Sequence, residues 1–194
     1  MTIFYVLIGL AVLLVLWLVG TYNGFIRLRT RTDEAWADID VQLKRRYDLI
    51  PNLIETVKGY AAHEQSTFDA VTQARAAATQ MTIDPSSVSA DQMAQFAQMQ
   101  DGLSQALGRL LAVSENYPDL KANENFLELQ RELTDTENKI QAARRFFNTN
   151  VRDLNIKVES FPSNVIANMF KFTKREFFEL EEKSEEREPV KVSF

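Results

Sequence analysis

No cysteine occurs among the 194 residues of this chain. Disulfides, thiolate metal sites, a cysteine nucleophile and a lipidated cysteine are therefore excluded, and the redox compartment is left open. Glycine and proline are scarce, at six and five residues. Strand-rich folds spend both on turns, so their scarcity favours long helices with few connections. Histidine occurs once, as His63, which leaves acid–base catalysis near neutrality a single candidate. Positive charge is also in deficit. A net charge of −5 argues against a nucleic-acid partner, since a duplex needs a cationic face. The length suits one domain with a real core and a few appendages.

Charge is missing altogether before Arg27, in "MTIFYVLIGLAVLLVLWLVGTYNGFI". Ile3 to Val19 is almost wholly aliphatic or aromatic, and about 20 such residues cross a bilayer core at about 1.5 Å per residue. Tyr5, Trp17 and Tyr22 lie near the two ends, where aromatic rings favour the interface. A cleaved signal peptide would carry a basic stretch before the apolar run and an A-x-A-like site after it, and neither is present. Residues 1–26 are read as a retained anchor with its flank. Arg27, Arg29, Arg31, Lys44, Arg45 and Arg46 follow the span and no Lys or Arg precedes it. The positive-inside rule then places the N-terminus outside and the body in the cytoplasm, at the inner membrane of a bacterium.

Beyond the span a heptad can be followed. Trp36, Leu43, Ile50 and Val57 form one column; Ile39, Leu53 and Tyr60 form the other, with Arg46 as its polar interruption. The columns keep phase across Pro51, which predicts one long bent helix to about Tyr60 rather than two helices meeting there. A second helical segment reaches Met81, and "TIDPSSVSAD" (82–91) is a loop. Periodicity returns with Phe96, Leu103, Leu110 and Tyr117 and breaks at Pro118. Asn123 is placed to cap the next helix, whose stripe is Phe126, Leu133, Ile140, Phe147, Leu154 and Phe161. Such stripes bury only against one another, so the fold class is all-α: a transmembrane helix followed by a long-helix, up-and-down antiparallel bundle over 27–161. Residues 162–178 form a short amphipathic, aromatic segment with Ser163 as its cap, and 179–194 a charged tail without fixed structure.

Three stretches, "AWADIDVQLKRRYDLIPNLIETVKGYAAHE", "YPDLKANENFLELQRELTDTENKI" and "FPSNVIA", resemble the signature regions of the LemA family of bacterial membrane proteins. The likeness runs from about Tyr22 to Phe172. It implies an N-terminal membrane anchor and a helical bundle at the membrane, and it carries no catalytic residue onto this chain.

The remaining candidates for chemistry are few. His63 in "YAAHEQS" lacks the second histidine of H-E-x-x-H and the glutamate of E-x-x-H, so it reads as a surface histidine rather than a ligand. Glu124, Glu128, Glu132, Asp135 and Glu137 alternate with Lys121, Arg131 and Lys139 away from the Phe126 stripe, as on a solvated helix face. No catalytic residue, cofactor or metal is expected. Arg46 admits two readings: its stem snorkels over the bundle edge, or it pairs with a carboxylate of the last helix in the same or a neighbouring chain. Trp36 and Ile39, expected to stand clear of shorter partner helices, join Lys44, Arg45 and Arg46 as a candidate self-association or partner surface. Phe170, Phe172, Phe177 and Phe178, interleaved with Lys171, Lys174 and Arg175, are candidate membrane or partner contacts, with Phe161 capping the core. These features favour a membrane-anchored, non-enzymatic scaffold that forms homo-oligomers or recruits partners. The alternative is an adaptor or accessory subunit of a membrane enzyme such as a membrane protease. The partners expected are the lipid bilayer, further copies of the chain and a membrane protein.

Overall fold

A computed structural model describes residues 1–179. The expected tail lies outside the described residues from position 180 onward. Six α-helices follow in order among the described residues: α1 (Thr2–Lys58), α2 (Gln65–Gln80), α3 (Ala90–Val113), α4 (Pro118–Lys121), α5 (Glu124–Glu159) and α6 (Ser163–Met169). A 3-10 turn, Ser114–Asn116, joins α3 to α4. Four of these make an up-and-down bundle. α1 rises from the apolar run, α2 descends, α3 rises again, and α5 returns antiparallel to α1 along most of its length.

Pro51 does lie inside a single helix of 57 residues. Proline cannot donate to the carbonyl of Tyr47, one turn back, and that group must find another partner or lose stability. It finds one on α2: Arg75 donates its Nε–H to the Tyr47 carbonyl oxygen at 2.9 Å. The proline itself faces solvent, where its ring meets nothing. The helix ends two residues before the expected Tyr60, which is exposed rather than a core residue, and whose hydroxyl accepts from Asn123 Nδ2 at 2.9 Å.

The shorter elements obey their local signals. Ser89 and Gln92 form a reciprocal capping box at the start of α3. In the loop before it, Asp84 accepts from the Ser86 N–H at 2.8 Å and from the hydroxyls of Ser86 and Ser87. These bonds favour the ionised carboxyl and hold its pKa below the usual range. Asn123 caps α5 by accepting from the Phe126 N–H at 2.9 Å. Ser163 does not cap α6: its hydroxyl donates back to the carbonyls of Lys157 and Ser160, closing the end of α5 instead.

The core divides into three zones along α1. Farthest from the span, Ile50, Leu53 and Val57 pack with Phe68, Leu103, Leu110, Phe126 and Leu133, and all four long helices contribute. In the middle, Trp36, Ile39 and Leu43 meet Met93, Phe96, Ile140 and Phe147. Nearest the span, Phe25 meets Leu154, Ile166 and Ala167, so α6 takes over where α2 and α3 have ended. The bundle thus narrows toward the membrane end.

The tie between Pro51 and Arg75 can be tested by a double-mutant cycle. Arg75→Leu leaves the Tyr47 carbonyl without its donor and should cost about 1–2 kcal/mol in denaturant melts. In a Pro51→Ala background the restored Ala N–H supplies that bond within the helix, so the same change should cost markedly less. Equal costs in the two backgrounds would remove this account of the proline.

Candidate functional site

The most polar part of the interior is centred on Arg46, the residue that interrupts the apolar column. Its side chain is 1% exposed. A buried guanidinium needs both a counter-charge and acceptors for its N–H groups. Nη1 donates to Glu137 on α5 at 3.1 Å and to the Ser104 hydroxyl on α3 at 3.1 Å, and Nη2 donates to the Gln100 side-chain oxygen. The Gln100 amide nitrogen donates to the Tyr47 hydroxyl at 2.7 Å, and that hydroxyl donates to the Ala78 carbonyl on α2 at 3.2 Å. One polar layer therefore joins α1, α2, α3 and α5. Burial raises the Tyr47 pKa, which keeps its hydroxyl protonated as the donor this relay requires.

Arg46 thus resolves as an ion pair with α5 inside the chain, and its stem does not snorkel. Arg45 is exposed and lies 4.0 Å from Asp135 of α5, a weak surface pair. Asp135 is held low chiefly by its bond to Lys139 at 2.7 Å. Lys44 points to solvent and makes no ion pair among the described residues. The expectation that Trp36 and Ile39 stand clear of the bundle is corrected. α2 is indeed too short to reach them, but the start of α3 and a later segment cover both. Trp36 lies between Phe96, Phe147 and Phe178, with ring centroids 5.2–5.8 Å away.

That later segment is the part of the structure that the sequence hid. After α6 the chain turns at Lys171, with a φ of 58°, and runs extended along α5. Two asparagines seven residues apart on α5 hold it by its backbone. Asn155 accepts from the Arg175 N–H and donates to the Arg175 carbonyl, both at 2.9 Å. Asn148 does the same for Phe178, at 2.9 and 3.0 Å. Each side-chain amide supplies one donor and one acceptor, so it pairs with an extended residue as a neighbouring strand would. Phe178 enters the core at 1% exposure, with Arg144 4.6 Å above its ring. Burial depresses the Arg144 pKa, opposed by the charge of Asp101 and reinforced by that of Arg46. Arg175, also buried, pairs with Asp33 of α1.

The aromatic segment therefore divides differently from the expectation. Phe161, expected to cap the core, is 83% exposed, because α5 has ended and its stripe has no partner left. Phe178 was expected to reach outward and instead lies at the centre of the middle zone. Phe172 stacks on Phe25, 4.7 Å between centroids and 14° between planes. Phe170 and Phe177 keep an exposed side, and Phe170 meets Tyr22 edge-on at 4.8 Å. His63 is at the surface.

A cleft of about 520 Å³ opens beside Trp36, lined by Arg29, Asp33, Asp40, Asp84 and Arg175. Its charges are mixed and largely matched. Among the described residues no three His, Asp or Glu side chains converge as a metal site would require. Burial raises the Asp40 pKa, and the Trp36 indole N–H one turn earlier pulls it part of the way back without reaching hydrogen-bond geometry. Most of the polar groups of the Arg46 layer are paired with one another, while Arg46 Nε and the Trp36 indole N–H are buried without a partner.

A family model described as the LemA family matches residues 35–194. Over 175 residues the chain is 24% identical to the magnetosome protein MamQ 2 of Paramagnetospirillum magneticum, covering 81% of this chain and 64% of that protein. It is 23% identical over 174 residues to the magnetosome protein MamQ of Magnetospirillum gryphiswaldense, with the same coverage of each. Protein LemA of Metamycoplasma hominis is 26% identical over 149 residues, covering 77% of this chain and 64% of that one. The chain thus spans less than two thirds of the length of these relatives.

Two consequences can be measured in the solubilised full chain. Glu137→Leu strands the Arg46 charge and should cost about 2–3 kcal/mol. Adding Arg46→Met should recover part of that loss, since removing both charges avoids an unpaired one; a double variant no more stable than Glu137→Leu would argue that the pair does not neutralise Arg46. Asp40→Asn should raise the melting temperature at neutral pH. With its pKa raised by folding, Asp40 opposes folding while ionised and ceases to do so as the pH falls through its folded pKa. The gain should therefore shrink on acidification, and a gain that grows would refute it.

Proposed function

From the premise that this chain belongs to the LemA family, we propose that it is a membrane-anchored, non-enzymatic helical scaffold. The first part of α1 spans the cytoplasmic membrane of a bacterium with its N-terminal end outside. The bundle stands on the cytoplasmic face, where copies of the chain associate or partners are recruited. The observation that carries this reading is the continuity of α1. Residues 1–17 are exposed along one apolar helix, and the same helix enters the packed bundle at Phe25 with no linker between. A catalytic domain on a membrane tether needs freedom to reach its substrate, whereas a bundle fused to its span presents a fixed surface to its neighbours. The Arg46 layer supports the same reading, since Glu137, Gln100 and Ser104, the partners of its guanidinium, lie within the fold.

A second reading, an adaptor or accessory subunit of a membrane enzyme such as a protease, is favoured by one specific observation. Arg46 is spent on Glu137 inside the fold and Arg45 lies against Asp135 of the same chain, so the basic run offers a neighbouring copy less charge than its sequence suggests.

Cross-linking in native membranes separates the two. The chain has no cysteine, so Lys44→Cys supplies one exposed thiol close to the basic run. The scaffold predicts a ladder of species containing more than one copy, attenuated at high salt if charge holds the contact. A single cross-linked product containing one copy and one other membrane protein would instead establish the adaptor and overturn self-association.

A further inference from the structure

We propose that the turn and short helix at the membrane end of the bundle, residues 160–170, form an interfacial foot that sits in the lipid headgroup zone beside the span. This rests on the reading of the start of α1 as a retained span, and adds a second lipid contact to it.

Position is the first argument. About 20 residues of helix fill the hydrocarbon core, so a span beginning at Ile3 reaches the boundary near Tyr22. Leu18, about 6 Å deeper by helical rise, is the one residue in the apolar run before Val19 that the bundle partly covers. It packs against the cluster of Phe25, Leu154, Ile166 and Ala167. Phe170 touches Tyr22 itself. A segment that shares one apolar cluster with Leu18 and touches Tyr22 lies at the boundary.

Chemistry is the second. α6 is apolar on both sides. Ile166 and Ala167 face the bundle, while Val165, Met169 (63% exposed), Phe170 and the preceding Phe161 face outward. Outside the span, this is a patch of large apolar side chains that water would not favour. From Ser160 to Phe172 there is no acidic residue. Arg27 and Lys171 are exposed at this level, and Lys157 crosses α1 at Gly24, where only the absence of a β-carbon leaves room for its amine, to lie 5.0 Å from the Phe25 ring centre. Burial and the charge of Arg27 lower the Lys157 pKa. Apolar side chains inserting below a collar of cations is the arrangement an anionic lipid surface recognises.

The absence of cysteine makes the test direct. Phe161→Cys, Val165→Cys and Met169→Cys, each in the full chain, are labelled with an environment-sensitive fluorophore and reconstituted into vesicles of phosphatidylcholine and phosphatidylglycerol containing shallow spin-labelled lipid. Leu10→Cys reports the span and Ala62→Cys the far end of the bundle. The three foot positions should lose most of their emission to the shallow quencher and shift to shorter wavelength, while Ala62→Cys is unaffected. If Leu10→Cys is quenched by deep spin labels and the foot behaves like Ala62→Cys, the foot is overturned while the anchor stands. If Leu10→Cys is not quenched, the anchor itself fails and the foot with it. Shielding of the foot that scales with protein density, without quenching by lipid, would assign the patch to a second copy and also overturn the proposal.

Discussion

A single buried guanidinium dictates how the four long helices meet. Arg46 occupies a column that would otherwise be aliphatic, and a charge placed there is tolerable only if every neighbour is correctly positioned. Glu137 sets the height of α5 against α1, Gln100 and Ser104 set that of α3, and Tyr47 passes the network on to α2. Sliding α5 by one turn would set Leu133 or Gln141 in place of Glu137 and strand the charge, and sliding α1 would set Leu43 or Ile50 in place of Arg46. Apolar stripes alone tolerate such slips, because a leucine packs nearly as well one turn along. The layer therefore supplies register, which the hydrophobic zones on either side cannot.

The same short stretch of α1 carries the second tie. Tyr47 contributes its side chain to the Arg46 layer and its carbonyl to Arg75, and the carbonyl is free only because Pro51 follows one turn later. A residue that normally weakens a helix here creates an acceptor that α2 uses to dock. The proline and the arginine, both irregular in a heptad, thus act on neighbouring turns to fix the α2–α3 hairpin against α1. Toward the apolar run of α1 the hairpin ends, and its place is taken by α6 and by the non-helical segment after it, which Asn148, Asn155 and Phe178 hold.

This difference explains what the sequence disclosed. The α1 and α5 stripes were legible because long antiparallel helices bury the same face at every turn, from Trp36 to Val57 and from Phe126 to Leu154. Arg46 was legible by violating that rule, although its partner could not be chosen among the carboxylates of α5. The extended segment was not legible. Its two inward positions, Arg175 and Phe178, lie three residues apart and one of them is charged, so no period stands out, and Asn148 and Asn155 carry no apolar signal despite lying seven residues apart. Phe161 misled for the opposite reason: it continues the α5 heptad perfectly at a point where nothing remains for the helix to pack against. A period in the sequence reports a face, and only the length of the partners decides whether that face is covered.

Fusing span and bundle through one helix has a mechanical consequence. A flexible tether lets a membrane-bound domain tumble, and any lateral contact must then repay the lost orientations. On the proposed reading the bundle cannot tilt independently of the span, so copies in a bilayer would stand at the same height, each still turning about the membrane normal. Confinement would then raise the effective concentration and leave rotation about the membrane normal as the main angular search. Weak contacts, of the kind that exposed residues such as Val41, Phe146 and Lys44 on α1 and α5 would offer, would gain most from this arrangement. A small surface that would not hold two soluble bundles together can suffice for two that are already aligned. On the proposed reading, the register that Arg46 sets within one chain would also set the surface that chain offers to another.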